Sequence, residues 1–397
     1  GVTGMAVDEL SGDALLEAAR RETGPDDFGD PRFREPMRRL FEALNGEARL
    51  NDAGRAYFAE RIGNVLVTRL RAEDWFRRHP EILEEEIAAP LAIVGLPRTG
   101  TTMMHRTIAS DHRMYAPLWY EVRNPAPLPG TDFSAGIDPR IAVAEAEVRA
   151  LLETSPDLAS IHPMDARGPD EDIMLLEQSF FSTVPESFAH LPQFGLWLEQ
   201  QDQRPGYRYL KRLLQFLQWQ KKQRGLQAER WVLKAPHHIH FPAVLFETFP
   251  DVKVLQTHRD PLQLMPSYGS MMYALIHPLS DAADKVAIAR HWCDKWATGM
   301  TATLRFRDAG HDDRYLDMWY EDTVSSPLDE IQRLYDFVGV DLTAEARAEM
   351  ARWRDMNRRE ARPTHQYTLE EYGFTEEGLK NTFREYRERY ILSRRPG

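Results

Sequence analysis

Arg98 stands in the run Leu91-Ala-Ile-Val-Gly-Leu-Pro-Arg-Thr-Gly-Thr-Thr102, whose residue types suit the binding of a phosphate. Gly95 and Gly100 permit backbone conformations and a close approach that a side chain would block. A helix opening after Gly100 would turn its N–H groups and the positive end of its dipole towards an anion. The spacing Gly95-x-x-x-x-Gly100 is the first part of the nucleotide-binding P-loop, whose pattern continues with Lys and then Ser or Thr. Thr101 stands where that lysine belongs. The cation comes earlier, as Arg98, which keeps the phosphate reading and weakens that of an ordinary ATPase or GTPase.

A second cluster with anion chemistry is Val252-Lys-Val-Leu-Gln-Thr-His-Arg-Asp-Pro261, with Ser267 eight residues beyond Arg259. That spacing is about two helical turns, so both side chains can face one anion. Arginine offers phosphate oxygens a planar fork, and serine adds a short hydroxyl donor. An Arg-Asp-Pro at a strand end is equally the composition of a capping ion pair. Pro266, lacking an N–H, is expected to kink or delay the helix that would carry Ser267.

Both clusters need strands behind them. Leu91 to Val94, Trp231 to Leu233, Val252 to Thr257 and Tyr315 to Met318 read as short buried strands. Helical patterns alternate with them, which implies a parallel sheet covered on both faces, with ligands at the carboxyl ends of the strands. The expected fold is a P-loop-like three-layer α/β/α arrangement with a short central parallel sheet and extensive helical additions. Residues 1–88 read as an N-terminal helical layer, 89–397 as the main domain, and 121–228 as a mostly helical insertion. Pro117, Pro125, Pro127 and Pro129 forbid a long helix there, although Leu118 to Asn124 suits a short one. Phe194, Trp197, Phe216 and Trp219 read as core rather than as an acceptor-binding surface.

Composition narrows the partners. With 397 residues, 42% of them hydrophobic, the chain can bury a large core, and its net charge of −12 argues against nucleic acid. Its single cysteine, Cys293, excludes an internal disulfide, and no Cys cluster suggests zinc. No stretch approaches the roughly 18 apolar residues of a membrane span. The expectation is a cytoplasmic protein without a membrane span or a bound metal.

Taken together, the two motifs resemble those of sulfotransferases that use 3′-phosphoadenosine 5′-phosphosulfate (PAPS). In that family a Pro-(Lys/Arg)-(Ser/Thr)-Gly-Thr-Thr loop holds the 5′-phosphosulfate, and Pro97-Arg98-Thr99-Gly100-Thr101-Thr102 matches each position. Arg259 and Ser267 have the family's spacing for contacts to the 3′-phosphate. The likeness is stronger to the bacterial branch and the tyrosylprotein enzymes than to the cytosolic mammalian branch. It implies that Arg98 sits near the oxygen bridging phosphate and sulfate, where charge grows as the S–O bond breaks. It implies also that the N–H groups of Thr99 to Thr102 hold the 5′-phosphate.

For the proton, the resemblance offers two sources. Glu121, in Trp119-Tyr-Glu-Val-Arg123, resembles the general base of tyrosylprotein sulfotransferases, while Arg123 beside it offers a plain ion pair. Lys234-Ala-Pro-His-His238 resembles the Lys-Thr-His segment of the cytosolic enzymes, with Pro236 where the histidine belongs, so that His237 or His238 would take the role. Lys234 would then contact the sulfonate or the leaving 5′-phosphate, or else form a salt bridge at a strand end. The segment His162 to Asp172 resembles an acidic segment of this bacterial branch whose carboxylates border the acceptor pocket, while Glu171 and Asp172 read rather as the first turn of a helix, where carboxylates favour the dipole. Arg362 and His365 resemble a late segment closing over the adenosine and the 3′-phosphate. The implied activity is in-line transfer of a sulfuryl group to a hydroxyl or amine of a small or lipid-like, mostly apolar acceptor. An atypical P-loop small-molecule kinase, or a nucleotide-binding protein without transfer activity, are the alternatives.

Overall fold

The computed structural model describes residues 9–394 apart from 135, 155, 157–163 and 359–366. At its centre lies a five-stranded sheet ordered β2-β3-β1-β4-β5, with every pairing parallel. The strands are β1 (Leu91–Gly95), β2 (Met114–Tyr115), β3 (Arg230–Lys234), β4 (Lys253–His258) and β5 (Tyr315–Trp319). Four of them were legible as apolar runs. β2 was not, because two residues carry no pattern. Register places Ile93 beside Lys234 and Gly95 beside Thr257, so the motif-bearing ends of β1, β3 and β4 lie side by side.

Alternation along the strands divides the core. Ala92, Val94, Leu233 and Val254 pack with the helices Arg204–Gln223 and Lys285–Phe306. Leu91, Ile93, Val232, Leu255 and Met318 face the other way, onto Met104, Ile108, Ile331 and Leu334. These helices supply the two outer layers. Phe216 and Trp219 are core in the first cluster, and Phe194 belongs to a third with the N-terminal helices.

Those N-terminal helices are α1 (Gly12–Thr23), α2 (Arg34–Asn45) and α3 (Asp52–Arg78). Asn51 caps α3 by accepting the Gly54 N–H at 2.8 Å. Their apolar faces share one cluster with Phe180, Phe181, Leu191 and Leu198. Buried Arg69 on α3 binds the carbonyls of Phe28, Asp30 and Gln178, at 2.6, 3.0 and 2.7 Å. The rings of Phe33 and Tyr209 lie 4.3 and 4.1 Å from its guanidinium.

Beyond β1 come α4 (Thr101–Ala109), the short α5 (Trp119–Arg123) and α6 (Pro139–Thr154). The helix after β4 departs from expectation, running unbroken over Pro261–Ile276 with Pro266 inside it. A proline there removes one backbone bond. The buried neighbours Leu264, Met265, Tyr268 and Met272 hold the helix to the core regardless.

Candidate active site

The turn between β1 and α4 is held from both sides. Gly95 has a φ of +141°, and a Cβ there would come within 2.6 Å of Thr257 Oγ1 and 2.7 Å of the Thr257 carbonyl oxygen. Thr99 Oγ1 donates to the Leu96 carbonyl at 2.7 Å and lies 2.6 Å from Thr257 Oγ1. Arg98 adopts a φ of +64°, a left-handed conformation uncommon outside glycine. Gly100, at +84°, opens α4. The first N–H groups of α4 have no carbonyl one turn behind them, which makes the turn an anion cradle.

Two further cations converge on it. Lys234, at the end of β3, is buried and reaches Thr102 Oγ1 at 3.1 Å and Glu171 Oε1 at 2.9 Å. Arg259, just past β4, donates to the Arg98 carbonyl at 2.9 Å and stacks 4.0 Å from the centre of the Tyr320 ring. A cavity of about 1510 Å³ has Pro97, Arg98, Gly100, Thr101, Thr102, Lys234 and Arg259 in its wall. Most of the remaining wall is apolar, with Met103, Leu151, Met174, Phe188, Met271, Leu275 and Trp296 among its members. Tyr57 and Val65 of α3, and Val143 and Ala146 of α6, also line it.

The proton-taking candidates separate sharply. Glu121 is buried, accepting from Lys221 Nζ at 2.8 Å and from the Leu118 backbone N–H at 3.1 Å, and it is outside the cavity wall. Its partner is therefore Lys221, not Arg123, which pairs instead with Glu147. His238 is closed as well. Its Nε2 bonds to Asp172 Oδ2 at 2.6 Å and its Nδ1 to the Tyr207 hydroxyl at 2.7 Å, with all three residues buried. His237 belongs to the wall, yet both its ring nitrogens are buried without a hydrogen-bond partner among the described residues. Burial, with His238, His240 and Lys295 nearby, holds the ring well below the usual histidine range.

Asp172 explains the shape of this corner. Rather than capping a helix turn with its side chain, it accepts the Lys234 backbone N–H at 3.1 Å and so ties the end of β3 to the acidic segment. Burial pushes its carboxyl up, but His238 outweighs this and leaves it below the ordinary value. Glu171, for which the first-turn reading was preferred over a place beside the pocket, stands on the cavity wall, with 26% of its side chain exposed. The signal for it in the sequence was the acidic run Asp170-Glu-Asp172 itself. Ser267 sits half-buried on the helix after Arg259, outside the cavity wall, so Arg259 alone of that pair lines it. Arg362 and His365 lie outside the described residues.

The parallel α/β sheet carries an anion cradle at its carboxyl edge, without the P-loop lysine, and that cradle opens into a mostly apolar chamber. The model of the sulfotransferase family matches residues 90–344, and the chain belongs to that family. Among solved structures, sulfotransferase STF9 from Mycobacterium avium is similar, with a TM-score of 0.86 and 26% identity, over 98% of each chain. STF1 from Mycobacterium tuberculosis H37Rv gives a TM-score of 0.78 at 29% identity, covering 95% of this chain and 99% of that one. The omega-hydroxy-beta-dihydromenaquinone-9 sulfotransferases Stf3 of Mycobacterium bovis and Mycobacterium tuberculosis are 28% identical over 264 residues. Those matches span 63% of this chain and 63% of the relatives' length. Among the described residues, no helix is long and apolar enough to cross a membrane, and no group of three or more His, Cys, Asp and Glu is arranged for a metal.

Proposed function

We propose that this protein transfers the sulfuryl group of PAPS to a hydroxyl, or an amine, of a small or lipid-like, mostly apolar acceptor. One observation carries the reading: the cradle and the apolar chamber are parts of a single cavity of about 1510 Å³, so an anionic donor and a greasy acceptor meet at the end of β1. The relatives that act on a dihydromenaquinone derivative support a lipid-like acceptor.

In this reading Arg98 and the N–H groups of Thr99 to Thr102 hold the 5′-phosphosulfate, and Lys234 binds an oxygen at the reacting end. Arg259 receives the 3′-phosphate. Fixed donors around the bridging oxygen favour the charge that develops as the S–O bond breaks, because they need no reorganisation. The acceptor oxygen attacks sulfur, the bridging bond breaks towards the 5′-phosphate, and the acceptor's proton moves to a carboxylate. We assign that proton to Glu171, which lines the cavity beside Lys234, whereas Glu121 and His238 are committed to buried partners. Geometry comes before pKa in such a choice.

Calorimetry with adenosine 3′,5′-bisphosphate, ATP and GTP tests the donor, and product formation from PAPS with long-chain alcohols, hydroquinones and sulfated sugars tests the acceptor. Tight binding of the bisphosphate and turnover with apolar acceptors are expected. Preference for ATP with a Mg²⁺ requirement would overturn the donor, and turnover confined to polyanionic sugars would overturn the acceptor class.

A further inference from the structure

We propose that Tyr386 and Arg387, in the C-terminal segment, are positioning residues for Arg259 and thereby set the preference for a 3′-phosphorylated nucleotide. This inference rests on the assignment of Arg259 to the 3′-phosphate.

His258, Arg259 and Asp260 form the corner where β4 turns into the helix Pro261–Ile276, and each is held by the same distant segment. His258 is buried, and its Nε2 bonds to Asp317 Oδ1 at 2.6 Å. Its Nδ1 lies 2.9 Å from the Tyr386 hydroxyl, which donates to it. The same tyrosine oxygen faces the backbone N–H of Arg259. That hydroxyl thus ties the residue directly before Arg259 to the C-terminal segment. Asp260 accepts a two-pronged bond from Arg387, Nε to Oδ1 at 3.0 Å and Nη2 to Oδ2 at 3.1 Å, and both side chains are buried. The Asp260 carboxylate also accepts the Leu262 N–H at 3.1 Å, so one group fixes the helix start and the strap.

Among the described residues, the Arg259 side chain meets the Arg98 carbonyl, Gln263 and the Tyr320 ring. A long side chain gains selectivity for an anion when its backbone is placed in advance, because less ordering remains to be done on binding. Here the placement comes from residues 386 and 387, beyond residue 344 where the family match ends.

The full chain is titrated by calorimetry with adenosine 3′,5′-bisphosphate and with adenosine 5′-phosphate, which differ only in the 3′-phosphate. Wild type is expected to bind the bisphosphate at least about tenfold more tightly, as charge-assisted hydrogen bonds to a phosphate imply. Arg259→Ala should bring the ratio close to one. Tyr386→Phe keeps the ring and removes one hydroxyl. It should lower the ratio by roughly threefold to tenfold, the effect of one hydrogen bond, with affinity for the monophosphate unchanged. Arg387→Ala should do the same with a lower Tm, and Arg387→Lys should recover part of the ratio, because lysine keeps the charge without the fork. In an Arg259→Ala background, Tyr386→Phe should change nothing further. Equal wild-type affinity for the two nucleotides would overturn the Arg259 assignment and this proposal with it. A wild-type ratio in Tyr386→Phe and Arg387→Lys, or an equal loss for both nucleotides, would overturn the proposal while the assignment stands.

Discussion

Lys234 bridges Thr102 of the cradle and Glu171 on the cavity wall, and in the proposed reaction it joins the donor side to the acceptor side. Glu171→Gln is expected to lower kcat by about 100-fold or more, the usual weight of general base catalysis, with affinity for adenosine 3′,5′-bisphosphate within about threefold of wild type. Glu121→Gln is expected to act on stability instead, lowering Tm by leaving Lys221 buried beside a neutral amide, with kcat of the folded enzyme nearly kept. Steady-state rates and thermal melts of the two variants decide the matter, and the reverse pattern would return the proton to Glu121. Arg98, Thr102 and Arg259 were legible because spacing in sequence becomes spacing along one turn or one strand end. The partner of Glu121 was not, because Lys221 lies 100 residues away and only the packing of the helix Arg204–Gln223 brings it near.

The elements hold the site by close contact of backbone. Gly95→Ala is expected to cost several kcal/mol or prevent folding, since the new Cβ meets the Thr257 backbone at 2.7 Å and cannot be relieved by a rotamer. Gly100→Ala meets softer neighbours, Thr323 Oγ1 and the Tyr320 ring at 3.2 Å, but at a φ of +84°. It should fold with about 1–2 kcal/mol less stability and bind the bisphosphate more weakly, measured by melting and calorimetry. Arg69→Ala should lower stability by about 3 kcal/mol or more, because three buried carbonyls lose their donor together. The glycines could be read from the motif. The role of Arg69 could not, since its partners at 28, 30 and 178 are set by how α3 packs.

Across the molecule, several buried histidines are kept neutral. Burial, with Lys234 nearby, brings His105 to about 3, and burial, with Lys295 nearby, brings His240 to about 3. The unfolded chain binds a proton at each ring below about 6.5 while the folded protein does not, so stability is full above that pH and falls as pH drops towards 3. Each ring contributes a slope approaching about 1.4 kcal/mol per pH unit. Thermal melts between pH 7.5 and 5 should therefore show a falling Tm, and a flat profile would contradict this account. The chamber gives a second test at this scale. Ala146→Trp on α6 should narrow the chamber, raising KM for long apolar acceptors while leaving bisphosphate affinity unchanged.

By itself the sequence determined the parallel sheet, the anion cradle and the cations nearest to it, because these depend on local period, turn chemistry and short-range spacing. Only the tertiary structure decided which carboxylate lines the cavity and which is spent on a buried lysine. It alone joined α3 and α6 around one chamber and strapped residues 258–260 with residues 386 and 387. The physical reason is that a buried charge takes its character from its partners. Those partners are chosen by packing across the chain and leave no period in it.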